Sequence, residues 1–263
     1  MINAAEMFVG LRYLRATRQT RFVSFISFIS LAGIALGVAA LIVILSVMNG
    51  FEGELRDRLL SMTAHGYLTG DDGTLEDWPS VRDQIIEDER VVAAAPLIEM
   101  EGMVRTGRSL NGVLVHGVLP EAEMAVSGRS NRFIEGDLSV LAAGERGIVL
   151  GRFLAIDLGV RLGDGVVLLI PRPAGDGTVE PILERFIVRG VFEAGVQDHD
   201  ATLALVHIED AARLLSLGDA VTSVRFLTDD VMSAPAVSGR VVERFGNAYQ
   251  ASDWSIENAS YFR

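Results

Sequence analysis

The sequence predicts an α+β membrane protein. An N-terminal transmembrane helix extends as a stalk and leads into a mixed α/β exterior domain of two subdomains. Three observations carry this prediction. Residues 22–51 run without a single charged side chain, and a helix of that length spans roughly 45 Å against a hydrocarbon core of about 30 Å. Four arginines stand just before the run, at Arg12, Arg15, Arg18 and Arg21. Beyond residue 66, short apolar runs alternate with helical patterns between Gly- and Pro-containing turns, as strands alternating with helices do.

The elements follow in order. Residues 1–21 form a cytoplasmic segment. Within it, 4–19 (AAEMFVGLRYLRATRQ) reads as an amphipathic helix with Phe8, Leu11 and Leu14 near one face, or as a merely basic juxtamembrane stretch. Residues 22–50 are the span. A secretory signal is the alternative, but its apolar core is about 7–15 residues long and ends in a small-residue cleavage site. Here Ala39 and Ala40 are followed by more Leu, Ile and Val. Basic flanks stay cytoplasmic, which puts the N-terminus inside. Arg56 and Arg58 argue weakly the other way, interleaved with Glu52, Glu54 and Asp57. Residues 51–65 continue the helix as a stalk, with Phe51, Leu55 and Leu59 on one stripe.

The exterior domain occupies 66–255, periplasmic in a Gram-negative cell. Asp77-Trp78-Pro79 opens a helix through Glu89. Strands are expected over 91–106, broken at Pro96, and over 110–118. A short strand at 147–150 precedes a helix over 152–158 that Gly159 stops, and another strand covers 166–170. The stretch 171–181 (PRPAGDGTVEP) reads as a loop, since its prolines and glycines oppose regular structure. Strands follow at 182–192, 202–207 and 221–227, with helices at 209–217 and 231–245. Residues 256–263 begin the lead-in to a second membrane span, ending in Tyr-Phe-Arg, residue types that anchor at the interface.

Composition excludes several functions. Beyond residue 21 the chain carries 19 basic and 34 acidic residues, a net charge of −15, which opposes nucleic-acid binding because phosphates need a basic footprint. There is no cysteine, so no disulfide, thiolate zinc site or lipid-modified N-terminal cysteine. All 23 basic residues are arginine. A GxxxxGK[ST] phosphate loop therefore cannot exist here, and ATP would have to be bound by another subunit.

Few motifs remain. Gly33 and Gly37 form GxxxG inside the span, where a second helix could approach closely, although glycine is common in membrane helices. Ser24, Ser27 and Ser30 could bond across helices or back to their own. Asn49 is polar near the outer end of the span. Gln197-Asp198-His199-Asp200 resembles a metal cluster only superficially, and no catalytic constellation emerges.

The segments GLRYLRA (10–16) and GIALGVAALIVILSVMNGFEGELRDRLL (33–60) closely resemble the start of lipoprotein-releasing ABC transporter membrane subunits of the LolC/LolE type, with a MacB-like periplasmic domain. LSVMNGFE (45–52) is the most specific part. VLGRFLAIDLGVRLGDGVVLLIP (149–171) and RFIVRGVFEAGVQDHDATLALVHIEDAARLL (185–215) are similar to that family's exterior domain. The resemblance implies an inner-membrane subunit with four membrane helices. Its implied partners are a second membrane subunit, cytoplasmic ABC ATPase subunits, membrane lipid, an acylated lipoprotein substrate and a periplasmic lipoprotein chaperone. It implies no enzyme activity and no cofactor in this chain. It also implies that Leu45, Met48 and Phe51 contact lipoprotein acyl chains, that Gly33 and Gly37 pack helices, and that Pro171, Arg172, Pro173 and Pro181 belong to a chaperone-contact loop. An ordinary hairpin loop is the alternative for 171–181. Val167, Leu183 and Glu184 depart from the basic or polar residues expected beside that loop. Other mechanotransmitting ABC permeases, of efflux or cell-division type, share this architecture. A single-pass sensor or interaction domain is the rival from another class, and an anchored hydrolase using His199 is the weakest.

Overall fold

The computed structural model describes residues 21–60, 64–107, 109–127, 132–173, 179–246 and 248–257. The segments expected at 4–19 and 258–263 lie outside them. The chain divides into two compact units, residues 1–56 and 57–263.

The first unit is dominated by one helix. α1 (Arg21–Leu60) is a single unbroken α-helix of 40 residues, of which Phe25–Met48 is long and apolar enough to cross a membrane. Its described side chains in that stretch are all exposed. With no polar face to hide and no protein core to enter, such a helix fits a lipid environment. It continues through Gly50 to Leu60, and the chain is out of helix by Ala64.

The second unit is built on ten strands. β1 (Gly66–Gly70), β2 (Val91–Arg105), β3 (Leu110–Val118), β4 (Arg132–Glu135) and β5 (Gly147–Gly151) are followed by β6 (Gly165–Pro173), β7 (Val179–Glu193), β8 (Leu203–His207), β9 (Ser223–Thr228) and β10 (Tyr249–Asp253). Among the described residues seven α-helices punctuate them: α2 (Trp78–Ile86), α3 (Pro120–Ser127), α4 (Arg152–Leu158), α5 (Gln197–Thr202), α6 (Ile208–Leu215), α7 (Ala234–Phe245) and α8 (Trp254–Glu257). The strand order is β10-β1-β9-β2-β3-β8-β5-β7-β4, and β6 pairs with both β2 and β7. Pairing therefore closes a circuit through β2, β3, β8, β5, β7 and β6. The strands β10, β1 and β9 extend it as an open sheet. The long β2 belongs to both groups, pairing with β9 over Val91–Leu97 and with β3 over Leu97–Arg105.

The apolar core follows this layout. Leu68, Val81, Ile85, Phe226, Val237 and Val241 fill the space between the open sheet and helices α2 and α7. Val104, Leu150, Leu154, Leu168, Phe186 and Val188 continue the same cluster in the closed group. On the opposite face, Leu97, Val118, Val149, Phe192 and Leu205 form a second cluster. Burying a side chain of this size is worth about 1.5–3 kcal/mol.

Two expectations about proline are corrected. Pro96 does not break its strand. The Leu97 carbonyl accepts from Thr222 N–H on the β9 side, so neighbouring Pro96 faces the other edge, where β3 has already ended with Val118 opposite Leu97. Its missing N–H costs no ladder bond there. Likewise Pro171, Arg172, Pro173 and Pro181 are not loop residues. They are the ends of a β6–β7 hairpin, with Pro171 opposite Pro181, Arg172 opposite Glu180 and Pro173 opposite Val179. Facing prolines suit a non-hydrogen-bonded pair, whose N–H groups point away from the partner strand. Pairing of β6 with β2 stops at Leu169, so no described third strand needs those groups.

Elsewhere the expected elements appear close to their places. Gly159 ends α4 with φ 66°, in the left-handed conformation that closes helices. Pro79 and Pro235 sit in the first turns of α2 and α7, where a missing N–H has no helical partner to lose.

Candidate functional site

The site residues expected from sequence fall into two groups, one on α1 and one on the β6–β7 hairpin.

On α1, successive residues advance by about 100°. Taking Gly33 as origin, Phe51 returns to about 0°, Gly37 lies near 40°, Met48 near 60° and Leu45 near 120°. All five therefore share one side of the helix. A Cβ added at Gly33 or Gly37 would meet nothing within 4 Å, so this part of the side is a shallow trough open to a neighbour. Leu45 and Met48 are exposed, about two and three turns along the helix from Gly37. The Phe51 side chain lies outside the described residues. The two glycines and the bulky apolar side chains thus lie on one side of the helix, at different heights along it.

On the hairpin, register sets which side chains share a face. Leu169 opposes both Met103 and Leu183, and Pro171 opposes Pro181 two residues on. Cross-strand partners point the same way, so these five form one continuous row. Met103, Leu183, Pro171 and Pro181 are exposed and Leu169 is half-buried. Arg172 points to the other side. Its guanidinium donates to Ser216 Oγ at 2.8 Å and lies 3.8 Å from the Glu180 carboxylate. Ser216 closes α6 in the left-handed conformation, φ 58°, so Arg172 braces the hairpin against that helix end. Glu184 is paired with Arg146 at 2.9 Å. The Pro173 side chain lies outside the described residues. Sequence reasoning missed Met103 and Leu169, because only register brings them beside Leu183. The alternating pattern of β2 was the one available signal.

The polar groups that might have suggested chemistry are occupied by structure. Asp200 is buried and accepts from Ala194 N–H at 2.6 Å and Gly195 N–H at 3.2 Å, tying the turn before α5. Its neighbour His199 stands on that short helix, and no group of three metal-ligating side chains occurs among the described residues. His116 Nε2 lies 3.0 Å from Glu99. Burial pushes its imidazole below the ordinary value, and the hydrogen bond from His116 holds the Glu99 carboxyl below its usual range. Arg225 and Glu123 form a buried ion pair joining β9 to α3, with Ser127 Oγ donating to the same carboxylate.

Comparison with known proteins places the chain. The profile described as "MacB-like periplasmic core domain" matches residues 27–244. The "Lipoprotein-releasing system transmembrane protein LolC" of Xylella fastidiosa (strain Temecula1 / ATCC 700964) is 39% identical over 264 residues, an alignment covering 100% of this chain and 63% of the relative. The corresponding LolE protein of Haemophilus influenzae is 30% identical, covering 94% of this chain and 60% of the relative. The periplasmic region of MacB from Actinobacillus actinomycetemcomitans superposes with a TM-score of 0.48 at 12% identity, covering 77% of this chain and 94% of that one. The chain thus spans a little under two thirds of the length of the curated relatives it matches. It belongs to the MacB-like periplasmic core domain family.

Proposed function

We propose that this chain is a membrane subunit of an ABC transporter that releases acylated lipoproteins from the inner membrane and hands them to a periplasmic chaperone. It sits in the inner membrane with its N-terminus in the cytoplasm and the domain outside, as the arginine flank favours. ATP is hydrolysed by cytoplasmic partner subunits, and a second membrane subunit completes the pathway. The observation that carries this reading is the unbroken helix Arg21–Leu60, in a chain 39% identical end to end to a lipoprotein-releasing-system protein. The helix runs on unbroken past the apolar stretch to Leu60, so displacement at its inner end is carried along it toward the exterior domain. No substrate need cross the bilayer.

Residue roles follow from the two groups. Gly33 and Gly37 take the partner subunit's helix. Beyond the glycines the two helices diverge, and Leu45, Met48 and Phe51 line the apolar space between them and receive acyl chains from the surrounding membrane lipid. The hairpin ends at Pro171, Arg172, Pro173 and Pro181, stiffened by proline and braced at Ser216, present a pre-organised surface to the chaperone.

The test is reconstitution. Proteoliposomes carrying this protein, its membrane partner and the ATPase are loaded with a triacylated lipoprotein and given soluble chaperone and ATP. ATP-dependent appearance of a lipoprotein–chaperone complex is expected. Equal release from vesicles lacking this chain would refute the assignment.

A further inference from the structure

His65 stands five positions past Leu60, the last described residue of α1, where the chain enters the domain, and it is buried at 6% exposure. Its backbone N–H donates to Phe226 O at 2.9 Å. Its carbonyl accepts from Trp254 N–H at 3.3 Å, where the chain leaves the domain. Next to it, Gly66 is in register with both Asp253 of β10 and Phe226 of β9. The indole of Trp254 in turn donates to Val231 O at 2.8 Å. The incoming and outgoing segments are therefore fastened at one point.

The imidazole completes that point in an unusual way. Thr228 N–H donates to His65 Nδ1 at 3.0 Å, and Thr228 Oγ1 lies 2.8 Å from the same nitrogen. The hydroxyl is also 2.8 Å from Asp230 O, so its single proton is shared between the two acceptors. A backbone N–H can only donate, so the arrangement requires Nδ1 bare and the proton on Nε2. Adding a proton at Nδ1 sets two donors face to face. The ring could then satisfy itself only by donating to Thr228 Oγ1, leaving Thr228 N–H without an acceptor. Asp230 from the turn after β9 and buried Asp253 from β10 are the ionisable neighbours, with exposed Arg90 and Asp229 joined one residue beyond. Burial favours the neutral ring, and the Asp230 carboxylate partly offsets it.

We propose that His65 is a proton-sensitive latch. Neutral, it fastens the segment arriving from α1 to the segment leaving at Trp254, so that the domain takes up displacement as one lever; protonated, it lets them part. The part it plays in force transfer rests on the transporter reading above, whereas the latch itself does not.

The test is hydrogen exchange of the whole chain in lipid nanodiscs at about pH 5.5 and about pH 7.5, on either side of the ordinary histidine range. Rates are corrected for intrinsic pH dependence. Segments containing Thr228 and Trp254 should exchange roughly tenfold faster in acid, as expected for losing a buried backbone hydrogen bond. His65→Asn, whose amide oxygen accepts from Thr228 N–H at either pH, should stay protected at both. His65→Ala should be fast at both. Imidazole ¹⁵N shifts of the wild type should show Nδ1 unprotonated at neutral pH. A wild-type rate that does not respond to acid, a His65→Asn protein that accelerates as the wild type does, or a protonated Nδ1 at neutral pH would each overturn the latch. None of these readings depends on lipoprotein release.

Discussion

The pair Arg225–Glu123 offers the sharpest energetic test of how the domain is built. Arg225 sits on β9 and Glu123 on α3, with side chains 7% and 4% exposed. Removing one member of a buried pair strands an uncompensated charge and typically costs about 3–5 kcal/mol. Glu99 and Tyr67 also lie near enough to favour the arginine charge, which puts Glu123→Leu at the lower end, about 3 kcal/mol. The double substitution Glu123→Leu with Arg225→Met removes both charges together, and such apolar replacements run from neutral to stabilising. The sequence contains two tryptophans, Trp78 and Trp254, both in the exterior domain, so urea unfolding followed by tryptophan fluorescence reports that domain and not α1. The expected cycle is a loss of about 3 kcal/mol for the single variant and recovery of most of it in the double. A single-variant loss under about 1 kcal/mol, the range of exposed pairs, would refute the claim that this charge pair is desolvated.

The pH response should follow the imidazoles. Burial lowers the folded-state values of His65, His116 and His207 below 6.5, so the unfolded chain takes up protons first. Domain stability should therefore be fully present above about pH 6.5 and fall as the pH drops below it, read as a declining urea midpoint. A midpoint that rises on acidification through that window would contradict the burial of these rings. For assembly, Gly37→Leu should leave the exterior domain's unfolding midpoint unchanged but abolish co-purification with the membrane partner, because the trough that admits a second backbone is filled. Intact co-purification would remove the GxxxG side of α1 from the interface.

Much of this architecture was legible in the residues because its causes are local. An uncharged run of that length has no soluble solution, so α1 was readable. The β5–α4–Gly159 unit was readable because an apolar run, a helical repeat and a left-handed glycine follow one another directly. The strands β1 (GYLTG) and β10 (YQASD) were not readable. Each is five residues with a single aliphatic side chain, Leu68 in one and Ala251 in the other, and each exists because the other, almost the whole domain away in sequence, pairs with it. β4 fails for the same reason. The prolines at 96, 171 and 181 misled because a proline's cost depends on whether a third strand needs its N–H, which composition does not reveal. The helix side bearing Gly33, Gly37, Leu45, Met48 and Phe51 follows from spacing alone. The Met103–Leu169–Leu183 row required register.

The central claim is that one side of α1 guides acyl chains, and a photocrosslinker tests it directly. Benzoyl-phenylalanine is placed at Met48, and at Val43 as control. Val43 is also exposed but lies about 140° round the helix. The account predicts that Met48 captures an acylated lipoprotein in the membrane, that capture falls when ATP and chaperone are supplied, and that Val43 captures little. Equal capture at both positions, or none at Met48 while release proceeds, would contradict it.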